Sequence, residues 1–136
     1  MNGQFADLIR SALNGRRQAY APYSKFAVGA AVQCKSGAVF TGSNIENISY
    51  GLTICAERIA IGSAVVAGER EFVAIAVVAD TIEPIVPCGA CRQFLAEFSP
   101  DLIIVSATVD GNRKIENLSH LLPYSKRGIL KNVHTR

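Results

Sequence analysis

The sequence lacks any hydrophobic run long enough to cross a membrane. Its longest apolar runs cover residues 27–32 and 73–79, whereas a membrane-spanning helix needs roughly 18 residues. Residues 1–10 also lack the basic and apolar regions of a secretory leader. We therefore expect a cytoplasmic protein that does not contact a membrane.

Basic residues are also few and dispersed. The chain has 14 lysines and arginines against 11 acidic residues, which gives a net charge of +3. A nucleic-acid surface needs basic residues grouped with aromatic ones, and the sequence contains no such block. We therefore expect no nucleic-acid partner, and we reject an editing enzyme that acts on single strands. Several basic residues lie in what we interpret as a solvated tail: Lys126, Arg127, Lys131 and Arg136.

No internal repeat, low-complexity stretch or linker divides the chain, so its 136 residues predict a single domain over residues 1–136. A chain of this length can bury a hydrophobic core without disulfide bonds. Its hydrophobic fraction of 49% and mean hydropathy of +0.23 are nevertheless high for a small monomer. Since no run crosses a membrane, we expect the surplus apolar surface to be buried in a homo-oligomer.

The spacing of apolar residues predicts a sheet covered by helices, an α/β sandwich. Residues 72–79 and 102–108 are continuously apolar, as in strands buried on both faces. Residues 55–67 are apolar nearly all round, which indicates a helix buried on several sides, in part at a subunit interface. The predicted elements, in order, are helix 4–20, strands 27–34 and 38–43, an irregular loop 44–53, helix 55–67, strand 72–79, loop 81–87, helix 88–98, strands 102–108 and 113–117, and a helical turn 118–122.

Three of the four cysteines lie in two short motifs, CAER at residues 55–58 and PCGACR at residues 87–92. Cys88 and Cys91 form a C-x-x-C pair that can place two thiolates on one metal ion, and Cys55 can supply a third. Three protein ligands leave a fourth tetrahedral position for water, which is the arrangement of catalytic zinc sites.

Other interpretations of these cysteines lack parts. A thioredoxin-like C-x-x-C needs no third cysteine, and a zinc ribbon needs a second pair. A zinc site that only holds the fold together, without catalysis, needs a fourth protein ligand. The remaining candidates are Cys34, which we expect in the core, and His120 and His134, whose distant positions in a turn and in the tail do not favour them.

Two residues beside Cys55 can support catalysis. Three thiolates and a divalent zinc ion sum to one negative charge. Both cysteine motifs are predicted to begin helices, and the N–H groups at those helix N-termini can offset the charge by bonding the sulfurs. Arg58 is expected to bond the ligand thiolates too, rather than to form a surface salt bridge. Glu57 can project toward the open position and act as general acid and base, rather than lie exposed in the first helical turn.

A cysteine ligand, a glutamate two residues later and a distant P-C-x-x-C form the pattern of zinc deaminases. The chain resembles the cytidine deaminase family, in its short homotetrameric form with three cysteine ligands. The resemblance runs from about residue 20 to residue 123. The matching segments are YAPYSKF at 20–26, VGAA at 28–31, GSNIEN at 42–47, CAER at 55–58, PCGACRQ at 87–93 and LLP at 121–123.

The resemblance implies a three-layer α/β/α sandwich with a mixed sheet of about five strands. It implies one Zn2+ ion per subunit on Cys55, Cys88 and Cys91, with Glu57 as the catalytic residue. The implied reaction is hydrolytic deamination of cytidine and 2′-deoxycytidine to uridine and 2′-deoxyuridine, with release of ammonia, in pyrimidine salvage.

The resemblance also implies contacts with a nucleoside. Phe26 corresponds to an aromatic side chain that packs against the pyrimidine ring. Asn44 and Glu46 correspond to a pair that hydrogen-bonds the ribose 3′-hydroxyl, and such a pair rejects substrates without that group. The backbone N–H of Ala56 and the carbonyl of Val86 correspond to groups that hold the base and the departing amine.

Two further features concern neighbouring subunits and the end of the chain. Ile48 and Tyr50 match a loop that reaches into a neighbouring site, so the resemblance implies a homotetramer with shared sites. Residues 124–136 form a divergent tail, in which Lys126 replaces a phenylalanine that covers the base in the family, and Tyr124 is a candidate substitute. This departure keeps open an alternative substrate, another cytosine-bearing small molecule such as blasticidin S. The ribose-binding pair of Asn44 and Glu46 argues against that alternative.

Overall fold

The structure is a computed structural model that describes residues 3–125. Within this range the predicted order of helices and strands is confirmed, with bounds that differ by a few residues. The elements are α1 (Ala6–Arg16), β1 (Val28–Cys34), β2 (Val39–Ser43), a 3-10 turn (Tyr50–Leu52), α2 (Ala56–Val66), β3 (Phe72–Ala79), α3 (Gly89–Phe98), β4 (Ile103–Thr108), β5 (Arg113–Asn117) and α4 (Leu118–Leu121).

The five strands form one mixed sheet in the order β2-β1-β3-β4-β5. β3 and β4 run parallel, with Ala76 opposite Val105, and the other neighbouring pairs are antiparallel. The two parallel strands lie inside the sheet and are almost entirely buried, as their continuous apolar sequences predict. Since β3 and β4 are parallel, their connection crosses over one face of the sheet and contains α3.

Helices cover both faces of the sheet, so the predicted three-layer sandwich is confirmed. α2 and α3 pack on one face, where Ile61 and Leu95 join Val77 in the larger core cluster. α1 packs on the other face, where Ile9 contacts a cluster that includes Val105. Among residues 3–125, no helix has the length and hydrophobicity to span a membrane.

Two glycines allow helices to lie directly against the sheet. A Cβ atom on Gly42 of β2 would lie 2.3 Å from the carbonyl oxygen of Ala56, the first residue of α2. A Cβ atom on Gly29 of β1 would lie 2.1 Å from the carbonyl oxygen of Ala12 in α1. Gly42 therefore sets how closely the start of α2, and the motif that begins there, approaches the sheet.

One prediction about helices needs correction. Helix 4–20 is shorter than predicted, because Phe5 at its start has a positive φ of 66° and Tyr20 instead pairs with Ile45 in a β-bridge. α2 has its buried residues against the sheet and α3, and Val66 at its end is 89% exposed in the described chain. The subunit interface expected at α2 stays a prediction.

Candidate active site

The starts of two helices bring the cysteine motifs together. Cys55 and Cys88 are the N-cap residues of α2 and α3, and both have extended backbone conformations before the helix begins. Cys91 lies in the first turn of α3, one turn after Cys88. The segment before Cys55 is held by a bridge in which Ile45 and Ile54 exchange two backbone hydrogen bonds of 2.9 Å. The prediction that both motifs begin helices is confirmed.

The three sulfurs form a compact group. All of them lie within 4.8 Å of one another, and the Sγ atoms of Cys55 and Cys88 are 3.9 Å apart. Sulfurs on a tetrahedral zinc ion at about 2.3 Å would be about 3.8 Å apart, so the donor set fits that metal. Among the described residues His120 is not part of the group, and His134 lies outside them. Cys34 is buried in the core, as predicted.

A hydrogen bond between the thiols of Cys55 and Cys91 changes the pKa of both. A hydrogen bond with Cys91, assisted by Arg58, lowers the pKa of the Cys55 thiol to about 5. The same bond, together with burial, raises the pKa of the Cys91 thiol above its ordinary value. Metal ligation requires thiolates, so a divalent cation would displace the remaining protons. Cys88 is exposed, and the group is therefore accessible from solvent.

Arg58 lies against this sulfur group. Its Nη2 atom is 3.8 Å from the Cys55 sulfur and 3.4 Å from the carbonyl oxygen of Thr53. Its buried Nε atom has no hydrogen-bond partner among the described residues. Neither Cys55 nor Cys88 accepts a capping hydrogen bond at its side chain, contrary to the expectation that helix N–H groups bond the sulfurs. In this geometry Cys55 and Cys88 direct their sulfurs toward each other.

Glu57 is a buried carboxyl group beside the sulfurs. It lies in the first turn of α2 and is only 5% exposed. Burial raises the pKa of its carboxyl group to about 7, and the neighbouring Cys55 thiolate adds to the increase. The alternative of an exposed first-turn glutamate is therefore wrong. A carboxyl group with a pKa near neutrality can both accept and donate a proton.

The side chains expected to bind a nucleoside lie on neighbouring loops. Phe26 is 40% exposed, and Asn44 is buried directly after β2. The amide of Asn44 accepts a hydrogen bond from Val28 N–H (2.9 Å) and donates one to the Phe26 carbonyl (2.8 Å). Glu46 accepts hydrogen bonds from Tyr23 N–H (3.0 Å) and from Ser24. Both polar residues therefore hold the segment that contains Phe26.

The remaining predicted contacts differ strongly in burial. Ala56 is fully buried at the start of α2, and Val86 is half-buried just before Pro87. Ile48 and Tyr50 are 80% and 73% exposed, so the described chain covers neither of them. Their role at a neighbouring site stays a prediction.

Comparison with known proteins agrees with this geometry. Residues 4–107 match the model of the cytidine and deoxycytidylate deaminase zinc-binding region, a span that contains all three clustered cysteines. The chain belongs to the cytidine and deoxycytidylate deaminase family. The cytidine deaminase of Halalkalibacterium halodurans is 52% identical over 117 residues, which are 85% of this chain and 89% of that protein.

Solved structures and a more distant relative support the same family. The crystal structure of cytidine deaminase from Burkholderia pseudomallei has a TM-score of 0.86 and 49% identity, and covers 89% of this chain and 98% of that one. The blasticidin-S deaminase of Bacillus cereus is 32% identical over 108 residues, which are 74% of this chain and 76% of that protein.

Two residues of this deaminase-family site had no role in the sequence analysis. Arg92 follows Cys91, and its guanidinium donates to the carbonyls of Pro87 (2.8 Å) and Leu121 (3.0 Å). Ser24 accepts a hydrogen bond from Phe26 N–H (3.0 Å). A serine two residues before the bonded N–H is a known local motif and could have been found, whereas the distant partners of Arg92 leave no local signal.

Proposed function

We propose that this chain hydrolyses cytidine and 2′-deoxycytidine to uridine and 2′-deoxyuridine, with release of ammonia. The observation that supports this most is a group of three cysteine sulfurs beside the buried carboxyl group of Glu57. A family whose model matches most of the chain agrees with it. The reaction would serve pyrimidine salvage, and the need for reduced thiols favours the cytoplasm.

Cys55, Cys88 and Cys91 would hold one zinc ion per subunit, as thiolates. Zinc bound there would lower the pKa of water and so supply a nucleophile near neutral pH. Arg58, at 3.8 Å from the Cys55 sulfur, would offset part of the negative charge of the three thiolates.

Glu57 would transfer the protons. Its carboxylate accepts a proton from the attacking water and delivers it to N3 of the cytosine ring as the oxygen adds to C4. A second proton from that oxygen passes through Glu57 to the amino group, which leaves as ammonia. The burial that raises the pKa of Glu57 to about 7 suits a group that must accept and release protons in one cycle.

The loops beside β2 would bind the nucleoside. Phe26 would pack against the pyrimidine ring, and Asn44 with Glu46 would bond the ribose 3′-hydroxyl. The amide nitrogen of Asn44 carries two hydrogens, so one remains for the substrate after its bond to the Phe26 carbonyl. The N–H of Ala56 and the carbonyl of Val86 would hold the base and the departing amine.

The working enzyme would be a homotetramer with sites shared between subunits. Ile48 and Tyr50 would contact the site of a neighbouring subunit, which accounts for their exposure in one chain. Val66 on α2, 89% exposed, would be covered in the same assembly. Light scattering of the purified protein should give the mass of four chains, and a monomeric mass with full activity would contradict shared sites.

The substrate is tested by direct assay of the zinc-loaded protein. Cytidine and 2′-deoxycytidine should both be deaminated, while 2′,3′-dideoxycytidine, which lacks the 3′-hydroxyl, should react much more slowly. Blasticidin S serves as the competing substrate. Faster release of ammonia from blasticidin S than from cytidine would reject the proposed substrate while retaining the proposed chemistry.

A further inference from the structure

The hydroxyl group of Ser24 connects two of the proposed nucleoside contacts. It donates a hydrogen bond to the Glu46 carboxylate and accepts the N–H of Phe26 at 3.0 Å. The same carboxylate also accepts the backbone N–H groups of Tyr23 and Ser24, at 3.0 and 3.1 Å. A single side chain therefore joins the residue proposed to bind ribose to the residue proposed to bind the base.

The other side of Phe26 is held by Asn44. The Asn44 amide donates to the Phe26 carbonyl at 2.8 Å and accepts Val28 N–H at 2.9 Å. Both backbone polar groups of Phe26 are thus bonded to side chains, one through Ser24 and Glu46 and one through Asn44. Phe26 is 40% exposed, so packing in the described chain gives it limited support.

The backbone between Ser24 and Phe26 is strained. Lys25 has a φ of 59°, in the left-handed region that residues with a Cβ atom rarely adopt. Such a conformation is unfavourable and persists only where surrounding contacts hold it. A hydrogen bond from Lys25 N–H to the Ala21 carbonyl (3.0 Å) and the two bonds of the Ser24 hydroxyl supply those contacts.

We propose that Ser24 is a positioning residue that couples Glu46 to Phe26, so that the ribose and base contacts are held in one geometry. This inference rests on the proposed function. Ser24 need not touch the substrate, because its effect passes through the two residues that do. Loss of its hydroxyl should weaken nucleoside binding without changing the groups that perform the chemistry.

The chain contains a matched control for this test. Ser36, in the turn between β1 and β2, donates to Glu69 at 2.9 Å and accepts Ala38 N–H at 3.3 Å. The turn lies at the opposite end of that hairpin from the nucleoside loops. Ser24→Ala and Ser36→Ala therefore remove the same two kinds of hydrogen bond, and both serines are exposed.

The experiment measures kcat and KM for cytidine with the zinc-loaded wild type and both variants, and the melting temperature of each. Ser24→Ala should raise KM about five- to tenfold and change kcat by less than about twofold, since one or two hydrogen bonds are lost. Ser36→Ala should leave both constants within about twofold of wild type. Ser24→Thr, which keeps the hydroxyl, should recover most of the lost affinity.

A second comparison distinguishes positioning from general destabilisation. In a Phe26→Ala background, Ser24→Ala should cost clearly less in kcat/KM than in the wild type, because one of the two residues through which it acts is already gone. The inference would be overturned by an equal cost in both backgrounds, or by a KM for Ser24→Ala equal to that of Ser36→Ala. In either case, turnover of cytidine by the wild type would still support the proposed function. Without wild-type turnover of cytidine, both fall.

Discussion

The site has two parts that are built differently. The cysteine side consists of Cys55, Glu57, Cys88 and Cys91 at the starts of α2 and α3. The loop side consists of residues 20–26 and 44–54, and includes several exposed apolar side chains: Tyr20, Tyr23, Phe26, Ile45, Ile48, Tyr50, Leu52 and Ile54. The cysteine side is supported by helices packed on the sheet, whereas the loop side is held by backbone bonds between loops and by side-chain bonds from Asn44 and Glu46 to the backbone.

This difference follows from what each part has to do. Metal ligands and a buried carboxylate need a geometry fixed within tenths of an ångström, and helix starts packed on a sheet provide it. A nucleoside pocket must open to admit its substrate, so more of its surface stays exposed in one chain. We infer that the chemistry depends on residues within one chain and that affinity depends in addition on the loops and their neighbours.

The largest effect is expected from Glu57→Gln. It preserves the shape of a buried side chain but removes the proton carrier, so kcat for cytidine should fall by roughly a thousandfold or more. Zinc content should stay at the wild-type level, because no sulfur ligand is changed. The control is Glu97→Gln on the exposed face of α3, which should have full activity. Wild-type kcat in Glu57→Gln would show that another group transfers the protons.

Cys91→Ala tests whether the cysteine side holds the metal. The variant removes one of three clustered sulfurs, so zinc measured by atomic spectroscopy after dialysis against a chelator should fall from near one per chain to near zero. Cys34→Ala is a matched control, since Cys34 is equally buried but lies apart from the cluster. It should keep its zinc and lose about 1 kcal/mol of stability from the vacated space. Equal zinc retention by both variants would reject the site.

Gly42→Ala and Gly29→Ala distinguish an effect on the cysteine side from a general loss of fold stability. Each adds a methyl group where a helix meets the sheet, and each should lower the free energy of unfolding by about 3 kcal/mol in urea titrations. Gly42 lies under α2, whereas Gly29 lies under α1. At a temperature where both variants are folded, Gly42→Ala alone should also release zinc faster. Faster release from Gly29→Ala as well would show that the two faces are not independent.

Much of the cysteine side could be predicted from the sequence because its determinants are local. A C-x-x-C at a helix start places two sulfurs on one side of the first turn, and the apolar runs of β3 and β4 fix the sheet on which α3 packs. The expectation that Glu57 is not an exposed first-turn residue rested on its place in the zinc-deaminase pattern, two residues after Cys55. The spacing could not show that the sulfurs of Cys55 and Cys88 accept no capping bonds, because this depends on the side-chain torsion angles of the two cysteines.

The loop side was less predictable because its contacts join distant segments. Asn44 and Glu46 were assigned to a substrate, but their bonds to Phe26, Val28 and Ser24 cross from one loop to another. No periodicity records such bonds. The sequence predicted that part of helix 55–67 lies at a subunit interface, but it could not single out Val66 as the exposed residue, since an apolar helix surface has the same sequence whether the same chain or a neighbour covers it.

The smallest effect is expected on the loop side, from Tyr50→Ser. The ring of Tyr50 contacts Tyr23 edge-on at a centroid distance of 6.0 Å, and its loss should loosen the loop next to Ser24. KM for cytidine should rise about threefold while kcat stays unchanged, because the cysteine side is intact.

Ile82→Ser is the control for this variant, since Ile82 is 92% exposed and lies in the loop after β3, outside both parts of the site. It should leave KM unchanged. If Tyr50→Ser instead lowered kcat as strongly as Glu57→Gln, the separation of chemistry from affinity would be wrong, and the loop side would have to contribute directly to the reaction. If neither variant changed KM, the ring of Tyr50 would have no part in binding, and the loop side would depend on Phe26, Asn44 and Glu46 alone.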